Sequence, residues 1–162
     1  MKKLLAAHAA EGIKMEDKKI ETENEEFRPD LELDENGIPV PESLARGIRE
    51  ILDRRSGMDI SVIHVGEKID MADYFVLCTA KSTTHVRALT DEVEYRLGLC
   101  GVKPDRSEGR GEGNSWMVVD YGNVLVHIFS RDARAFYNLD KLYSDAAKVV
   151  FEDKKNDAED AE

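Results

Sequence analysis

Residues 116–130 read WMVVDYGNVLVHIFS, and the way this stretch pairs decides the fold. Two apolar runs flank Tyr121-Gly122-Asn123, and a Trp, an Asp and a His interrupt them. The runs are rich in β-branched and aromatic residues, so they read as strands. With Gly122-Asn123 as a two-residue turn, glycine in the first central position suits a type II′ hairpin. Tyr121 then pairs with Val124, Val119 with Val126, and Met117 with Ile128. Those six residues form one apolar face, assigned to the core. Alternation places Trp116, Val118, Asp120, Leu125, His127 and Phe129 on the other face, with Asp120 and His127 as diagonal neighbours. A slip of one residue would exchange the two faces.

The rest of the domain reads outward from this hairpin. Residues 41–56 carry Leu44, Ile48, Ile51 and Leu52 at helical spacing, with Pro41 in the first turn and Gly57 as the stop. Residues 59–65, DISVIHV, suit a strand. Residues 74–79, YFVLCT, are continuously apolar, as a central strand buried on both faces would be. A helix is predicted over 82–97, capped by Ser82 or Thr83, with Val86, Leu89, Val93 and Leu97 inward and Gly98 at its end. Residues 101–114 hold Gly101, Pro104, Gly109, Gly111 and Gly113 and read as a loop. Ser130 caps a last helix that breaks near Asn138 and carries Phe136, Leu139, Leu142, Tyr143, Ala146, Val149 and Val150. This order gives an α/β (α+β) domain with a mixed sheet of about four to five strands and flanking helices.

Charge divides the chain. Residues 1–40 hold 6 Lys/Arg against 11 Asp/Glu, and residues 152–162 hold 2 against 6. The middle, 41–151, holds 15 against 17 and is nearly neutral. Residues 1–40 therefore read as an acidic extension, disordered over the charged stretch 16–36, and 152–162 as an acidic tail. No dense basic run appears, so phosphate neutralisation is not expected to dominate binding. The N-terminal MKKLLAAHAA has an apolar stretch of about six residues, shorter than the roughly 7–15 of a secretory signal, and Met15 offers a second start. No run approaches the ~18 apolar residues of a membrane span. The expectation is a cytoplasmic protein, with Cys78 and Cys100 as reduced, partly buried thiols.

The second face of the hairpin has three uses. Asp120 could orient His127 as a base, with Ser115, Ser130 or Cys78 as nucleophile, although no GxSxG turn is present. Trp116 and Phe129 could anchor a protein partner. The last helix could simply cover the face, leaving His127 a core residue. Other motifs carry less. Asp70 and Asp73 suit a turn better than a metal site. Residues 108–113, EGRGEG, lack GxxxxGK[ST] and bring two carboxylates where phosphate would sit. Thr84, His85, Arg87, Asp91 and Glu94 read as a solvated helix face. His8, His64, His85 and His127 show no zinc spacing.

Several blocks follow one another in a recognisable order: DYFVLCT at 73–79, Ser82, HVR at 85–87, Glu108-Gly109, WMVVDYG at 116–122, Val126-His127, and RAFYNLDKL at 134–142. Together they resemble the ribosomal silencing factor family, also called RsfS or Iojap, over roughly residues 41–147. The resemblance implies a small α/β domain of nucleotidyltransferase-like shape. The transferase signature, Gly-Ser followed by Asp-x-Asp, is missing after Lys81-Ser82, so the resemblance implies no enzyme, cofactor or metal. It implies a protein that binds the large ribosomal subunit through its protein fourteen, blocks subunit joining, damps translation when nutrients are scarce, and forms a homodimer. The implied binding residues are Trp116, Val118 and Asp120, with His127 by adjacency and Tyr137 and Leu139 at the border. The open alternatives are a nucleotide-binding domain that has lost catalysis and a plain dimerisation module. The chain departs from the family pattern at Ala80, where Gly would relieve a strained turn, and at Tyr143, where the family has Trp. The acidic extension is a third departure.

Overall fold

In the computed structural model, residues 27–151 are described. The order is α1 (Pro41–Arg54), β1 (Met58–His64), β2 (Tyr74–Ala80), α2 (Thr83–Leu99), β3 (Arg106–Arg110), a 3-10 turn (Glu112–Asn114), β4 (Trp116–Asp120), β5 (Val124–Ser130), α3 (Arg131–Tyr137), α4 (Leu139–Leu142) and β6 (Ala147–Val149). The strands form one six-stranded sheet in the order β3-β4-β5-β2-β1-β6. β2 and β5 run parallel at its centre, and the other neighbours are antiparallel. The mixed α/β sheet is as expected, with more strands than expected.

The hairpin has the predicted register. Trp116 pairs with Phe129, Met117 with Ile128, Val118 with His127, Val119 with Val126 and Asp120 with Leu125. Gly122 takes φ 85°, the left-handed backbone that the first position of this turn requires. Asp120 Oδ1 accepts from the Gly122 N–H at 2.8 Å and holds the turn.

The two faces of the sheet have different covers. Met117, Val119, Val124, Val126 and Ile128 join Val62, Val76 and Cys78 beneath α1 and α2. Leu44, Ile48, Ile51 and Leu52 of α1 and Val86, Leu89, Val93 and Leu97 of α2 complete that core. Each such fully buried aliphatic contributes about 1.5–3 kcal/mol relative to exposure. Phe75, Leu77, Trp116, Val118, Leu125 and Phe129 face the other way, against Val65, Ala72 and Ala133, with Leu139 and Tyr143 partly buried on top.

Helix ends explain several local choices. Ser82 Oγ caps α2 by accepting from the His85 N–H at 3.1 Å. Gly101, at φ 78°, rather than Gly98 ends it. Ser56, not Gly57, is left-handed after α1. Gly57 is needed for closeness, because a Cβ there would lie 2.7 Å from Cys78 Sγ and 2.8 Å from the Leu52 carbonyl. His85 is not a solvated bystander. Its Nδ1 accepts from the Lys81 N–H at 2.9 Å, so Nε2 carries the proton and donates to the Arg55 carbonyl at 2.9 Å. It thereby ties the start of α2 to the end of α1.

Further expectations are corrected. The segment 101–114 contains β3, because the exposed edge of β4 offers a ladder that a Gly-rich stretch can join. The last helix does not run to Val150. Asn138 takes φ 49° and separates α3 from α4, and β-branched Val149 belongs to β6 on the edge of β1. Residues 27–36 are not a free charged stretch. Phe27 and Leu31 pack on the core, and the Arg54 guanidinium lies 3.7 Å from the Phe27 ring centroid. Residues 1–26 of the acidic extension and 152–162 of the tail lie outside the described residues. Ala80 does not lie in a strained turn: it is a buried strand residue paired with Ser130.

Tyr121 Oη is enclosed on the helix-covered face without a hydrogen-bond partner among the described residues. A lone buried hydroxyl costs free energy, so removing it relieves a penalty. Tyr121→Phe is expected to keep or raise stability, by up to about 1 kcal/mol. A urea midpoint clearly below wild type would show that the hydroxyl is satisfied.

Candidate functional site

The second face of the hairpin carries both a cover and an opening. α3 and α4 lie over one end of it, and beside them a groove of about 260 Å³ opens. Trp116 and Val118 from β4, Leu125 and His127 from β5, Phe75 from β2, and Leu139 and Tyr143 from the last helical segment line its apolar part. Arg106, Glu108, Arg110 and Asp120 line its polar part.

Five of the six predicted residues meet here: Trp116, Val118, Asp120, His127 and Leu139. The sixth, Tyr137, lies beside them, its ring 4.5 Å from that of Trp116. The face is neither fully open nor fully covered. Trp116, Val118 and Leu125 are each 8% exposed and His127 5%, whereas Tyr137 is 37% exposed. Trp116 also stacks on Phe129 at 5.2 Å and has the Arg110 guanidinium 5.2 Å from its ring.

Asp120 and His127 do not work as a pair. Asp120 is taken up by the turn and by Arg106, whose Nη2 lies 3.7 Å from its Oδ2. The Trp116 indole N–H donates to His127 Nδ1 at 3.2 Å instead. Phe75 meets the imidazole edge-on at 4.6 Å. Burial, with a smaller push from the Arg110 charge, lowers the His127 pKa to about 3, so the ring is neutral near pH 7. A neutral, aromatic-packed imidazole bonded to an indole is no general base primed by a carboxylate. Cys78 is buried, and burial pushes its thiol up to about 12, far from a thiolate nucleophile. Among the described residues no group of three or more His, Cys, Asp or Glu could hold a metal ion.

Sequence reasoning missed Arg134. Its guanidinium forks onto Asp140 (Nε to Oδ2 at 3.2 Å, Nη2 to Oδ1 at 3.0 Å) and donates to Thr79 Oγ1 at 3.0 Å and to the Asp59 carbonyl. This clamp fastens α3 and α4 to β1 and β2, and so sets where Tyr137 and Leu139 stand beside the groove. Arg134 also holds the Asp140 carboxyl below its usual pKa. Arg134→Ala is expected to cost about 2 kcal/mol, because it strands a part-buried carboxylate and several acceptors. Urea unfolding measures it, and a stability equal to wild type would deny the clamp its role.

Residues 39–162 match the family model described as "Ribosomal silencing factor during starvation", RsfS.

The chain belongs to the RsfS family.

It is 40% identical over 76 residues to the ribosomal silencing factor RsfS of Bacillus subtilis, covering 47% of this chain and 64% of that protein. It is 32% identical over 111 residues to RsfS of Halalkalibacterium halodurans, covering 68% of this chain and 93% of that one. In three dimensions it is similar to a crystal structure of a Chromobacterium violaceum protein, with a TM-score of 0.62 and 26% identity. That superposition covers 72% of this chain and 96% of the other. The blocks that suggested RsfS membership, WMVVDYG and RAFYNLDKL, are those that build and flank the groove.

Proposed function

We propose that the chain is a non-enzymatic ribosomal silencing factor. It binds the large ribosomal subunit through that subunit's protein fourteen, sterically blocks joining of the small subunit, and represses translation when nutrients are scarce. The observation that carries this reading is the match of residues 39–162 to the RsfS family. The binding residues are Trp116, Val118, Asp120, His127, Tyr137 and Leu139. The groove they surround supports the assignment: aromatic and aliphatic groups at its centre and charges at its edge are the composition of an interface. The nearly neutral domain fits a protein partner better than RNA phosphates. Phe136 and Leu142 are 81% and 68% exposed, and they would serve a homodimer of the free protein.

Sedimentation with separated ribosomal subunits tests the reading. Co-migration with the large subunit and a smaller joined-ribosome peak are expected. If the protein stays at the top of a low-salt gradient, and the subunits join undisturbed, the reading fails.

A further inference from the structure

The segment before α1 lies on the side of the sheet opposite the groove. Phe27 and Leu31 pack with the core beneath α1 and α2, whereas Phe75, Trp116 and Leu125 belong to the other face. Residues 27–32, FRPDLE, alternate: Phe27, Pro29 and Leu31 are buried or half-buried, and Arg28, Asp30 and Glu32 are exposed. Period two is the pattern of an extended peptide with one side laid on a surface.

Both helices are shaped to that peptide. On α1, the buried Ser43 Oγ accepts from the Glu32 N–H at 3.1 Å, and its own proton has the Glu32 carbonyl at 3.2 Å and the Val40 carbonyl at 2.9 Å in reach. One turn on, a Cβ at Gly47 would lie 2.9 Å from Leu31 Cδ2 and 3.0 Å from Pro29 Cβ. Glycine inside a helix lowers its stability relative to alanine, and here it makes room for those two side chains. From the α2 side, the buried Arg96 donates to the Phe27 carbonyl at 3.2 Å, and the Cys100 thiol lies 3.8 Å from the Pro29 carbonyl. Side chains of the helix pair therefore read the main chain at 27, 29 and 32, while Gly47 admits the apolar residues between. Residues 33–40 turn the chain back to α1. Asp34 Oδ1 accepts from the Asn36 and Ile38 N–H groups at 2.8 and 3.0 Å, and the Val40 N–H donates to the Glu32 carbonyl at 2.8 Å. The sheet takes no strand from this segment, and the RsfS match begins only at residue 39, so the segment is an addition to the matched domain. We propose that the α1–α2 seam is a receptor for an extended peptide with apolar residues at alternate positions, and that residues 27–32 occupy it in cis as a latch that opens without unfolding the domain.

The test uses the full chain and amide hydrogen exchange read by NMR. Gly47→Leu fills the seat from the helix side. The double variant Pro29→Ser/Leu31→Ser removes the anchors of the latch and leaves both helices untouched, so it decides the matter if Gly47→Leu does not fold. In the wild type the Glu32 amide is expected to exchange about a hundredfold more slowly than in an unfolded chain, yet faster than the amides of β5. Each variant is expected to lose most of the Glu32 protection while β5 stays protected. A latch closed about 100:1, against an effective concentration of order 1 mM, corresponds to a free-peptide Kd on the order of 10 μM. The synthetic peptide FRPDLEL, residues 27–33, should therefore shift the Ser43 and Gly47 amides of the Pro29→Ser/Leu31→Ser chain to saturation below about 1 mM. It should leave the Ser43 amide of Gly47→Leu unmoved. The proposal is overturned by a Glu32 amide that exchanges freely in the wild type, or by full Glu32 protection in folded Gly47→Leu. It is equally overturned if Glu32 and β5 lose protection together, or if the peptide shifts neither amide of the double variant.

Discussion

Trp116→Ala is expected to lower folding stability by about 3–5 kcal/mol, the usual range for emptying a buried large aromatic site. The indole is 8% exposed and packs on Phe129, Tyr137 and His127. Truncation leaves a void between α3 and the sheet, and it removes the donor that satisfies His127 Nδ1. Urea unfolding followed by tyrosine fluorescence or far-UV circular dichroism measures the loss. A midpoint within error of wild type would mean that the indole stands free of the core.

The same substitution is expected to weaken partner binding by ~2 kcal/mol or more, the scale of a hot-spot aromatic. The two effects share a side chain, so the alanine variant alone does not separate them. Trp116→Phe separates them better. It keeps most of the ring packing while removing the indole N–H. Tyr137→Ala complements it, because Tyr137 is the exposed aromatic of the set and its removal opens little of the core.

The sequence carried the hairpin almost completely. Period-two alternation from Trp116 to Phe129 assigns twelve side chains to two faces, and Gly122 fixes the register, so both could be read locally. What was illegible is non-local. Nothing within residues 74–79 says that β2 lies parallel to β5, and so nothing brings Phe75 to His127. Strand β3, with residues RSEGR, has no apolar pattern because all five residues are exposed. Its pairing comes from the open edge of β4, not from its own propensity. Arg134 reads as one more surface cation of a short amphipathic helix. Only the fold places Thr79, Asp59 and Asp140 within its reach. The candidate site was thus legible as a set of residues on one strand pair. The opening between that strand pair and the α4 segment was not.

Stability is expected to fall steeply as the solution is acidified, and His127 is the reason. Its pKa is 6.5 in an exposed chain and about 3 in the fold, lowered by burial. Between those values the unfolded chain binds a proton that the folded chain does not. Unfolding therefore takes up a proton, and the free energy of unfolding rises with pH across that window. The sign is fixed: the contribution is complete above pH 6.5 and is lost as pH falls toward 3. The slope approaches about 1.4 kcal/mol per pH unit, so the total is on the order of 4–5 kcal/mol. That is comparable with the whole stability of a marginal domain. Asp140, whose pKa is lowered by Arg134, adds a loss of the same sign, but only near and below the ordinary carboxylate range. The interval from pH 6.5 to about 4.5 consequently reports on the imidazole. Urea unfolding at half-unit steps through that interval should show the slope in the wild type. The slope should be much shallower in His127→Gln, which lacks that buried imidazole. An equal slope in both proteins would place the acid sensitivity elsewhere, and a flat wild-type profile would mean that His127 takes up its proton in the folded state as readily as in water.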